Sequence, residues 1–271
     1  MVKRIIRPLA LFAGLYVLVC AGVFLTQDSI LFPRAGKGRG RPLSLPQNVE
    51  VKRLTSALGD NYRIAVGHPE EAPRGILLWF LGNGADLSNG LHHAIEFPKY
   101  GLLTVVTEYP GYGESSGHPG IASIFSAAER TAEFGQQLAR ARDLDNLFLG
   151  GQSLGSFSAT HLAHLGLGNR LLLISPPTSI LEAGRVRFPW LPVGILLKHP
   201  FDNMSLAGEI DIRTLVVHGT LDLVAPVEMG QRLSQAFPDG SLVEVPGAGH
   251  NDLDLRFGSK LSDSISRHLF D

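Results

Sequence analysis

The fold of this chain is decided by residues 147–163, which read Leu-Phe-Leu-Gly-Gly-Gln-Ser-Leu-Gly-Ser-Phe-Ser-Ala-Thr-His-Leu-Ala. The stretch begins with an apolar run typical of a buried strand and ends in small, helix-competent residues. Between the two lies a Gly-x-Ser-x-Gly pentad at 151–155. A strand, a sharp turn and a helix in this order hold a serine hydroxyl exposed at the edge of a sheet. Ser153 is therefore predicted to be a nucleophile.

A second pentad, Gly-Glu-Ser-Ser-Gly at 113–117, lacks this context. It leads directly into His118-Pro119-Gly120, where proline and glycine prevent an immediate helix. Ser115 is thus predicted to be a loop residue. A bare pentad also arises by chance in a chain with 31 glycines, so either match alone indicates no more than a tight turn.

Strand-like and helix-like stretches alternate along the rest of the chain. Residues 49–55 and 61–66 predict an opening antiparallel pair, and residues 121–141 predict a helix. This order predicts an α/β fold, with a doubly wound, mostly parallel sheet and helices on both faces. Apolar runs typical of strands buried on both faces lie at 75–81, 102–107, 147–149, 171–174, 215–217 and 242–245.

Ser153, Asp222 and His250 each follow one of these predicted strands. The carboxyl ends of parallel strands share one edge of a sheet, so the three side chains are expected to meet there. A serine hydroxyl needs a base, and histidine suits that role because its ordinary pKa is close to neutral pH. A carboxylate then orients the imidazole and stabilises its charged form. We therefore expect Ser153 as nucleophile, His250 as base and Asp222 as acid, although each residue alone also fits a turn or cap.

The negative charge of a tetrahedral intermediate needs hydrogen-bond donors. The backbone N–H of Leu154, directly after the serine, is predicted to be one of them. The glycine-rich loop after the 75–81 strand is predicted to supply the other through the N–H of Asn83, with Gly84 and Ala85 as alternatives. This loop does not match the glycine patterns that bind phosphate.

Composition excludes several classes of function. The chain has 271 residues, enough for one α/β domain, and a net charge of −1, which provides no basic field for nucleic acid. Its single cysteine, Cys20, excludes a disulfide framework and a cysteine nucleophile in the folded body. Histidines at 92, 93, 161 and 164 have no acidic or sulfur partner at ligand spacing, so they are expected at the surface and neither metal nor cofactor is predicted.

The N-terminus differs from the rest of the chain. Basic residues precede an uncharged, apolar run at 9–25, which predicts a single-pass membrane anchor over 1–26. A cleaved signal peptide and a lipoprotein signal ending at Cys20 are the alternatives. The basic residues favour a catalytic domain outside the cytoplasm, and cleavage would make it secreted. A linker is expected over 27–48 and the catalytic domain over 49–271.

The chain also carries an ordered series of motifs at 27–33 (QDSILFP), 81–85 (LGNGA), 108–115 (EYPGYGES), 151–155 (GQSLG), 175–179 (SPPTS), 201–202 (FD), 218–222 (HGTLD) and 247–252 (GAGHND). Over nearly the whole chain, this series resembles the α/β-hydrolase superfamily. More narrowly, it resembles membrane-anchored serine hydrolases related to the eukaryotic α/β-hydrolase-domain depalmitoylases. The resemblance implies Ser153 as nucleophile, Asp222 as acid and His250 as base.

Residues 175–209 resemble the short apolar cap over the pocket of such enzymes, and its hydrophobicity fits either an acyl chain or ordinary packing. Leu81 stands where many relatives have a histidine, which leaves open how the oxyanion loop is supported. The sequence thus predicts a serine hydrolase that acts on a carboxylic ester or thioester, such as a lipid or an acylated protein. The alternatives are a peptidase on the same fold and a non-catalytic, membrane-tethered binding protein.

Overall fold

The computed structural model of the protein describes residues 2–37, 43–253 and 258–271. Its strands form an eight-stranded mixed sheet. They are β1 (Val49–Thr55), β2 (Asn61–Gly67), β3 (Gly75–Phe80), β4 (Leu102–Thr107), β5 (Leu147–Gln152), β6 (Arg170–Ile174), β7 (Arg213–Gly219) and β8 (Gly240–Val245).

Helices precede the sheet and alternate with its strands. One turn of 3-10 helix, Phe97–Tyr100, leads into β4. The α-helices are α1 (Val2–Leu31), α2 (Leu87–Gly90), α3 (His93–Glu96), α4 (Ile121–Arg142), α5 (Leu154–His164), α6 (Ile180–Arg187), α7 (Val193–Leu196), α8 (Met204–Ala207), α9 (Val227–Ala236) and α10 (Gly258–Phe270).

The order of strands in the sheet is β1-β2-β4-β3-β5-β6-β7-β8. β2 pairs antiparallel with β1 and β4, and the other neighbours pair in parallel. The predicted opening antiparallel pair and the mostly parallel sheet are therefore confirmed. Since β3 lies beside β5 and β7 beside β8, the loops after these four strands meet at one edge of the sheet.

The position of β3 in the sheet explains why its sequence is apolar throughout. Ile76 and Leu78 pack on one face of the sheet with buried residues of α4 and α5. Leu77 and Trp79 pack on the other face with residues of α2, α3 and α10. Because successive side chains of a strand point to opposite faces, a strand that is covered on both sides has no solvent-facing position. The predicted doubly wound arrangement is confirmed.

α1 is one continuous helix that ends at Leu31, within the stretch expected to be a linker. Its part Leu9–Leu31 has 23 residues, and an 18-residue window within it has a mean hydropathy of 2.3. This part is long and apolar enough to cross a membrane, as a signal sequence also can be. The next residue, Phe32, is buried and packs with Tyr109 and Tyr112 of the domain. The segment after α1 is thus docked on the domain.

The stretch between β6 and β7 contains α6, α7 and α8, in the place expected for the cap. α7 lies against α1. Gln27 of α1 donates from Nε2 to the carbonyl of Leu196 at 2.8 Å, which joins the two helices. The cap is therefore held between the sheet and the N-terminal helix.

Candidate active site

Ser153 stands on the turn between β5 and α5, with φ 50° and ψ −113°. This conformation is strained for a residue with a side chain. The flanking glycines permit it, because a Cβ on Gly151 would meet the carbonyl of Gly155, and a Cβ on Gly155 would meet the carbonyl of Phe80 in β3. The N–H of Ser153 donates to the carbonyl of Ile174 at 2.9 Å, which fixes the turn on β6.

Side chains from three loops form a continuous hydrogen-bonded series. Ser153 Oγ lies 2.9 Å from His250 Nε2, and His250 Nδ1 lies 2.7 Å from Asp222 Oδ2. A carboxylate can only accept, so Nδ1 carries the hydrogen and Nε2 is left to accept the serine proton. The structure thus brings together the three residues selected from the sequence, at distances that suit a nucleophile, a base and an orienting acid.

The carboxylate of Asp222 is enclosed and has several donors. Its Oδ1 accepts the N–H groups of Val224 at 2.8 Å and Ala225 at 2.9 Å. Its Oδ2 lies 3.2 Å from Nε2 of the buried His218. Burial alone would raise the pKa of Asp222. Hydrogen bonds from His218 and His250, with a smaller effect from the N–H of Ala225, outweigh burial and lower that pKa below its ordinary value, so the acid is charged at neutral pH.

The loops that carry Asp222 and His250 are bonded to each other, and the His250 loop is also bonded to the residue that follows β6. The N–H of Leu221 donates to the carbonyl of Ala248 at 2.9 Å. The hydroxyl of Ser175, which follows β6, donates to the carbonyl of His250 at 3.3 Å. Backbone contacts therefore fix the distance between Asp222 and His250 independently of their side chains.

The loop after β3 lies directly beside the nucleophile, since a Cβ on Gly82 would come within 3.8 Å of the serine Cβ. Leu154 is the first residue of α5, so its N–H belongs to the first turn, whose amides have no hydrogen-bond acceptor inside the helix. The N–H of Asn83 has no acceptor among the described residues, whereas that of Ala85 donates to the Gly82 carbonyl at 3.1 Å. The geometry therefore favours the predicted pair, Leu154 and Asn83, over Ala85; Gly84 stays an alternative.

Two buried tyrosines support this loop, and the sequence reasoning missed both. The hydroxyl of Tyr109 donates to the carbonyl of Leu81, and that of Tyr112 donates to the carbonyl of Asn83 at 3.0 Å. The Leu81 side chain is buried against Gly90, where a Cβ would lie 2.6 Å from it. Packing and tyrosine hydroxyls thus support the loop in this chain. Their sequence signal is a pair of tyrosines directly after β4, the neighbour of β3.

The segment after α1 also contacts the oxyanion loop. Asn83 donates from Nδ2 to the carbonyl of Leu31 at 3.1 Å. Arg34 donates from Nε to the carbonyl of Gly84 at 3.0 Å, and its Nη1 lies 3.7 Å from Asp86 Oδ2. These bonds join residues 52 and 50 positions apart in the chain. No local pattern in the sequence indicates them.

Ser153 and His250 line a cavity of about 890 Å³. Its walls come from the cap, from the loops that carry Asn83, Ser153 and His250, and from α1. A mostly apolar cavity of this size is typical of a site for a small organic ligand. The apolar lining includes Val23, Ile30, Ile180, Phe188, Leu191 and Leu196.

Ser115 lies in a loop, as predicted, and is buried. Its hydroxyl donates to Glu108 Oε1 at 2.7 Å and accepts the N–H of Arg63 at 3.0 Å. Glu108 in turn accepts two bonds of 2.9 Å from the guanidinium of Arg63. Within the described residues, no imidazole contacts this hydroxyl. Ser115 therefore has the environment of a structural residue.

His93 does not lie at the surface, where it was expected. It is only 6% exposed, and its ring centroid lies 4.9 Å from that of Trp79 and 6.0 Å from that of Phe97. Burial, with a smaller effect from His92, lowers the pKa of His93 well below its ordinary value. The neutral imidazole therefore packs as an aromatic residue on the side of α3 that faces β3.

Known proteins resemble the chain over most of its length. The family model described as TAP-like protein matches residues 196–269. An uncharacterized protein of Mycobacterium tuberculosis, Rv2307c, is 30% identical over 267 residues, which cover 94% of this chain and 93% of that protein. The human alpha/beta hydrolase domain-containing protein 17C is 30% identical over 200 residues, which cover 71% of this chain and 58% of that protein.

Solved structures share the fold at low sequence identity. The esterase Pf2001 of Pyrococcus furiosus superposes with a TM-score of 0.70 at 16% identity, covering 85% of this chain and 94% of that chain. Est1E of Butyrivibrio proteoclasticus, with ferulic acid bound, gives a TM-score of 0.66 at 16% identity, covering 80% and 96%. At this identity, the likeness is one of fold.

Proposed function

The chain belongs to the α/β-hydrolase superfamily, and we propose that it is a membrane-anchored serine hydrolase that cleaves carboxylic esters or thioesters. The observation that carries the proposal is the series of hydrogen bonds from Ser153 through His250 to Asp222. This series lies at the wall of a mostly apolar cavity. Such a fold hosts many functions, so the proposal rests on the site and not on the superfamily alone.

In the proposed reaction, His250 Nε2 takes the proton of Ser153 as Oγ attacks the carbonyl carbon. The new bond moves the carbonyl electron pair onto oxygen, and the N–H groups of Leu154 and Asn83 stabilise that oxyanion. When the intermediate collapses, the bond to the alcohol or thiol breaks and the imidazolium protonates the leaving group. Water then attacks the acyl-serine, with His250 again as base, and the carboxylic acid is released. These steps use no metal or cofactor.

The cavity supports a substrate with an acyl chain, because its lining is mostly apolar beside the serine. A lipid and an acylated protein both supply such a group. α1 supports membrane attachment through its length and hydropathy. The basic residues before it favour an N-terminus in the cytoplasm and a catalytic domain on the other side of the membrane.

Labelling with a fluorophosphonate probe tests the nucleophile, because the probe reacts with activated serines. Wild type and Ser115→Ala should be labelled, and Ser153→Ala should not. A folded wild-type protein without label would contradict the proposal and favour a non-catalytic binding protein. Loss of label in Ser115→Ala alone would assign the nucleophile to the other pentad.

Paired substrates test the bond that is cleaved. A p-nitrophenyl ester and a p-nitroanilide with the same acyl group differ only in the ester or amide link. We expect hydrolysis of the ester and little of the anilide. Comparable rates on both would favour the peptidase alternative.

A further inference from the structure

The cap lies alongside the C-terminal half of α1. Near the middle of α1, the hydroxyl of Tyr16 donates to the carbonyl of Trp190 at 2.8 Å. Further along, Gln27 bonds to the cap twice, from Nε2 to the carbonyl of Leu196 and from the N–H of Lys198 to Oε1, each at 2.8 Å. With a rise of 1.5 Å per residue, the stretch from Tyr16 to Gln27 is about 16 Å long.

From Leu15 to Gln27, α1 is strongly apolar on the side that faces away from the domain. Leu15 is 59% exposed, Leu18 70% and Leu25 73%. A helix of this composition partitions into lipid, where the hydrocarbon core is about 30 Å thick. Cap residues that contact Tyr16 and Phe24 lie at the depth of those helix residues, whatever the tilt of the helix. A membrane-bound α1 therefore carries the cap into the leaflet.

The outer surface of the cap has the residues that such a position requires. Trp190 is 55% exposed and Ile195 is 84% exposed. In the loop that carries the acid, Leu223 is 86% exposed and directly precedes Val224, which lines the cavity. Tryptophan is enriched at the membrane interface. Leu221, Leu223 and Val224 are each more than half exposed, so one loop presents several apolar side chains to its surroundings.

A cationic side chain of the cap lies about 12 Å further along α1 than the Trp190 contact, because eight residues separate Tyr16 from Phe24. The ammonium of Lys198 lies 4.7 Å from the centroid of the Phe24 ring of α1. The same ammonium lies 3.5 Å from Asp28 Oδ2, so an ion pair and the face of an aromatic ring hold this charge beside α1. Apolar residues and a basic residue thus occur together on the cap, as expected for a surface at the boundary between acyl chains and headgroups.

We propose that the cap, the outer side of α1 and the loop at Leu223 form one surface that inserts into a phospholipid leaflet. The cavity then opens toward the acyl chains of the bilayer. Val23 and Ile30 of α1 wall this cavity, so an acyl chain that leaves the bilayer along the helix arrives beside Ser153. This inference rests on the proposed function and narrows its substrate to acyl esters whose chain resides in the membrane.

Tryptophan quenching measures the depth of the cap in the full-length protein, reconstituted into phosphatidylcholine vesicles with brominated acyl chains. The chain has two tryptophans, of which Trp79 is in the core and Trp190 is exposed. We expect bromine to quench Trp190, and Trp190→Phe to remove that quenching. Fluorescence that is unchanged by bromine would overturn the proposal.

Leu165 supplies a matched control, since it is 51% exposed and lies just beyond the end of α5 that is remote from Ser153. A tryptophan introduced there by Leu165→Trp, in the Trp190→Phe background, should not be quenched. Quenching at both positions would show non-specific lipid contact and overturn the proposal.

Two esters test whether substrate reaches Ser153 from the bilayer. One is 4-methylumbelliferyl oleate in phosphatidylcholine vesicles, and the other is 4-methylumbelliferyl acetate in solution. Ile195→Asp places a carboxylate in the surface without entering the cavity lining. It should lower the vesicle rate about tenfold, because lipid disfavours the charge, and leave the acetate rate unchanged. Leu165→Asp should change neither rate. An unaltered vesicle rate in Ile195→Asp would overturn the proposal that this surface inserts into lipid.

The two proposals fail in different ways. A wild-type protein that hydrolyses neither ester would contradict the proposed function, while bromine quenching would still decide whether the cap lies in the leaflet. Hydrolysis of both esters without quenching of Trp190 would keep the proposed function and overturn the membrane surface.

Discussion

The two Gly-x-Ser-x-Gly pentads of this chain have opposite surroundings in the folded protein. The hydroxyl of Ser153 lies beside the imidazole of His250 and lines the cavity. The hydroxyl of Ser115 is buried between the carboxylate of Glu108 and the backbone of Arg63. The same five-residue pattern therefore positions a candidate nucleophile in one place and a structural bond in the other.

The difference arises from the elements around each pentad. The pentad at 151–155 joins the central strand β5 to the helix α5, and that connection holds Ser153 at a positive φ of 50°. The pentad at 113–117 lies in a loop, where Gly113, at φ 52°, approaches the Glu108 carboxylate and the Arg63 guanidinium. A Gly-x-Ser-x-Gly pentad thus indicates a nucleophile only when a strand precedes it, a helix follows it and a base lies within hydrogen-bonding distance of its serine.

The largest expected contrast between the two pentads is in turnover. Ser153→Ala should lower kcat by about 10⁶-fold, as loss of the nucleophile does in serine hydrolases, because no other described hydroxyl is bonded to the imidazole of His250. Ser115→Ala should leave kcat nearly unchanged. Initial rates of ester hydrolysis, with folding checked by circular dichroism, measure both. Equal losses in the two variants would contradict the contrast.

The two serines also differ in the carboxylate that is associated with each. Asp222 is bonded to the imidazole beside Ser153, and Glu108 is bonded to Ser115 directly. Asp222→Asn should lower kcat by about 10⁴-fold, because the amide favours the wrong imidazole tautomer. Glu108→Gln removes the buried anionic partner of the Arg63 guanidinium and leaves only the partly exposed carboxylate of Glu114, 3.2 Å from Nη1. It should lower the free energy of unfolding by about 3–5 kcal/mol, with a much smaller effect on kcat. Urea unfolding and initial rates on each variant would separate the two effects, and the reverse pattern would refute this division of roles.

The closing glycines of the two pentads should differ in their tolerance of a side chain. Gly155→Ala places a Cβ against the backbone carbonyls of Phe80 and Leu81, which cannot move without disturbing β3. It should cost about 3 kcal/mol of unfolding free energy, at the upper end for overpacking, and should abolish turnover. Gly117→Ala, at φ 87°, meets the movable carboxylate of Asp60. It should cost about 1–2 kcal/mol and retain turnover.

The smallest effect concerns the hydroxyl of Ser115 itself. Ser115→Ala leaves a buried carboxylate oxygen and the N–H of Arg63 each without one bond, which should cost about 1–3 kcal/mol of unfolding free energy. Ser116→Ala is the matched control, because Ser116 is exposed and water can replace its bonds to Asn61. Thermal or urea unfolding measures both, and a larger loss in the control would contradict the structural role of Ser115.

Much of the sheet could be predicted from the sequence because its strands are apolar runs between turn residues. The run at 102–107 coincides with β4, and that at 75–81 exceeds β3 by one residue. The order of Ser153, Asp222 and His250 after three strands was sufficient to select them, because parallel strands direct their carboxyl ends to one edge. The catalytic roles of these residues stay predictions.

Other features could not be predicted because they depend on contacts between distant residues. The bond from Arg34 to the carbonyl of Gly84 has no periodic signal in the sequence. The burial of His93 depends on which side of a four-residue helix faces the sheet, and four residues are too few to show helical periodicity. The extension of α1 to Leu31 was hidden because that stretch contains both polar and apolar residues.

The N-terminal helix is a wall of the cavity as well as an apolar segment. Another helix of the same hydropathy would serve equally well as the proposed membrane anchor, but it would lack the two bonds from Gln27 to the cap. It would also change the contour set by Val23 and Ile30 beside the serine. The proposed function therefore predicts that the shape of the substrate constrains this segment. Homologues with other substrates should differ at its cavity-facing positions, while their outward-facing positions should vary freely among apolar residues.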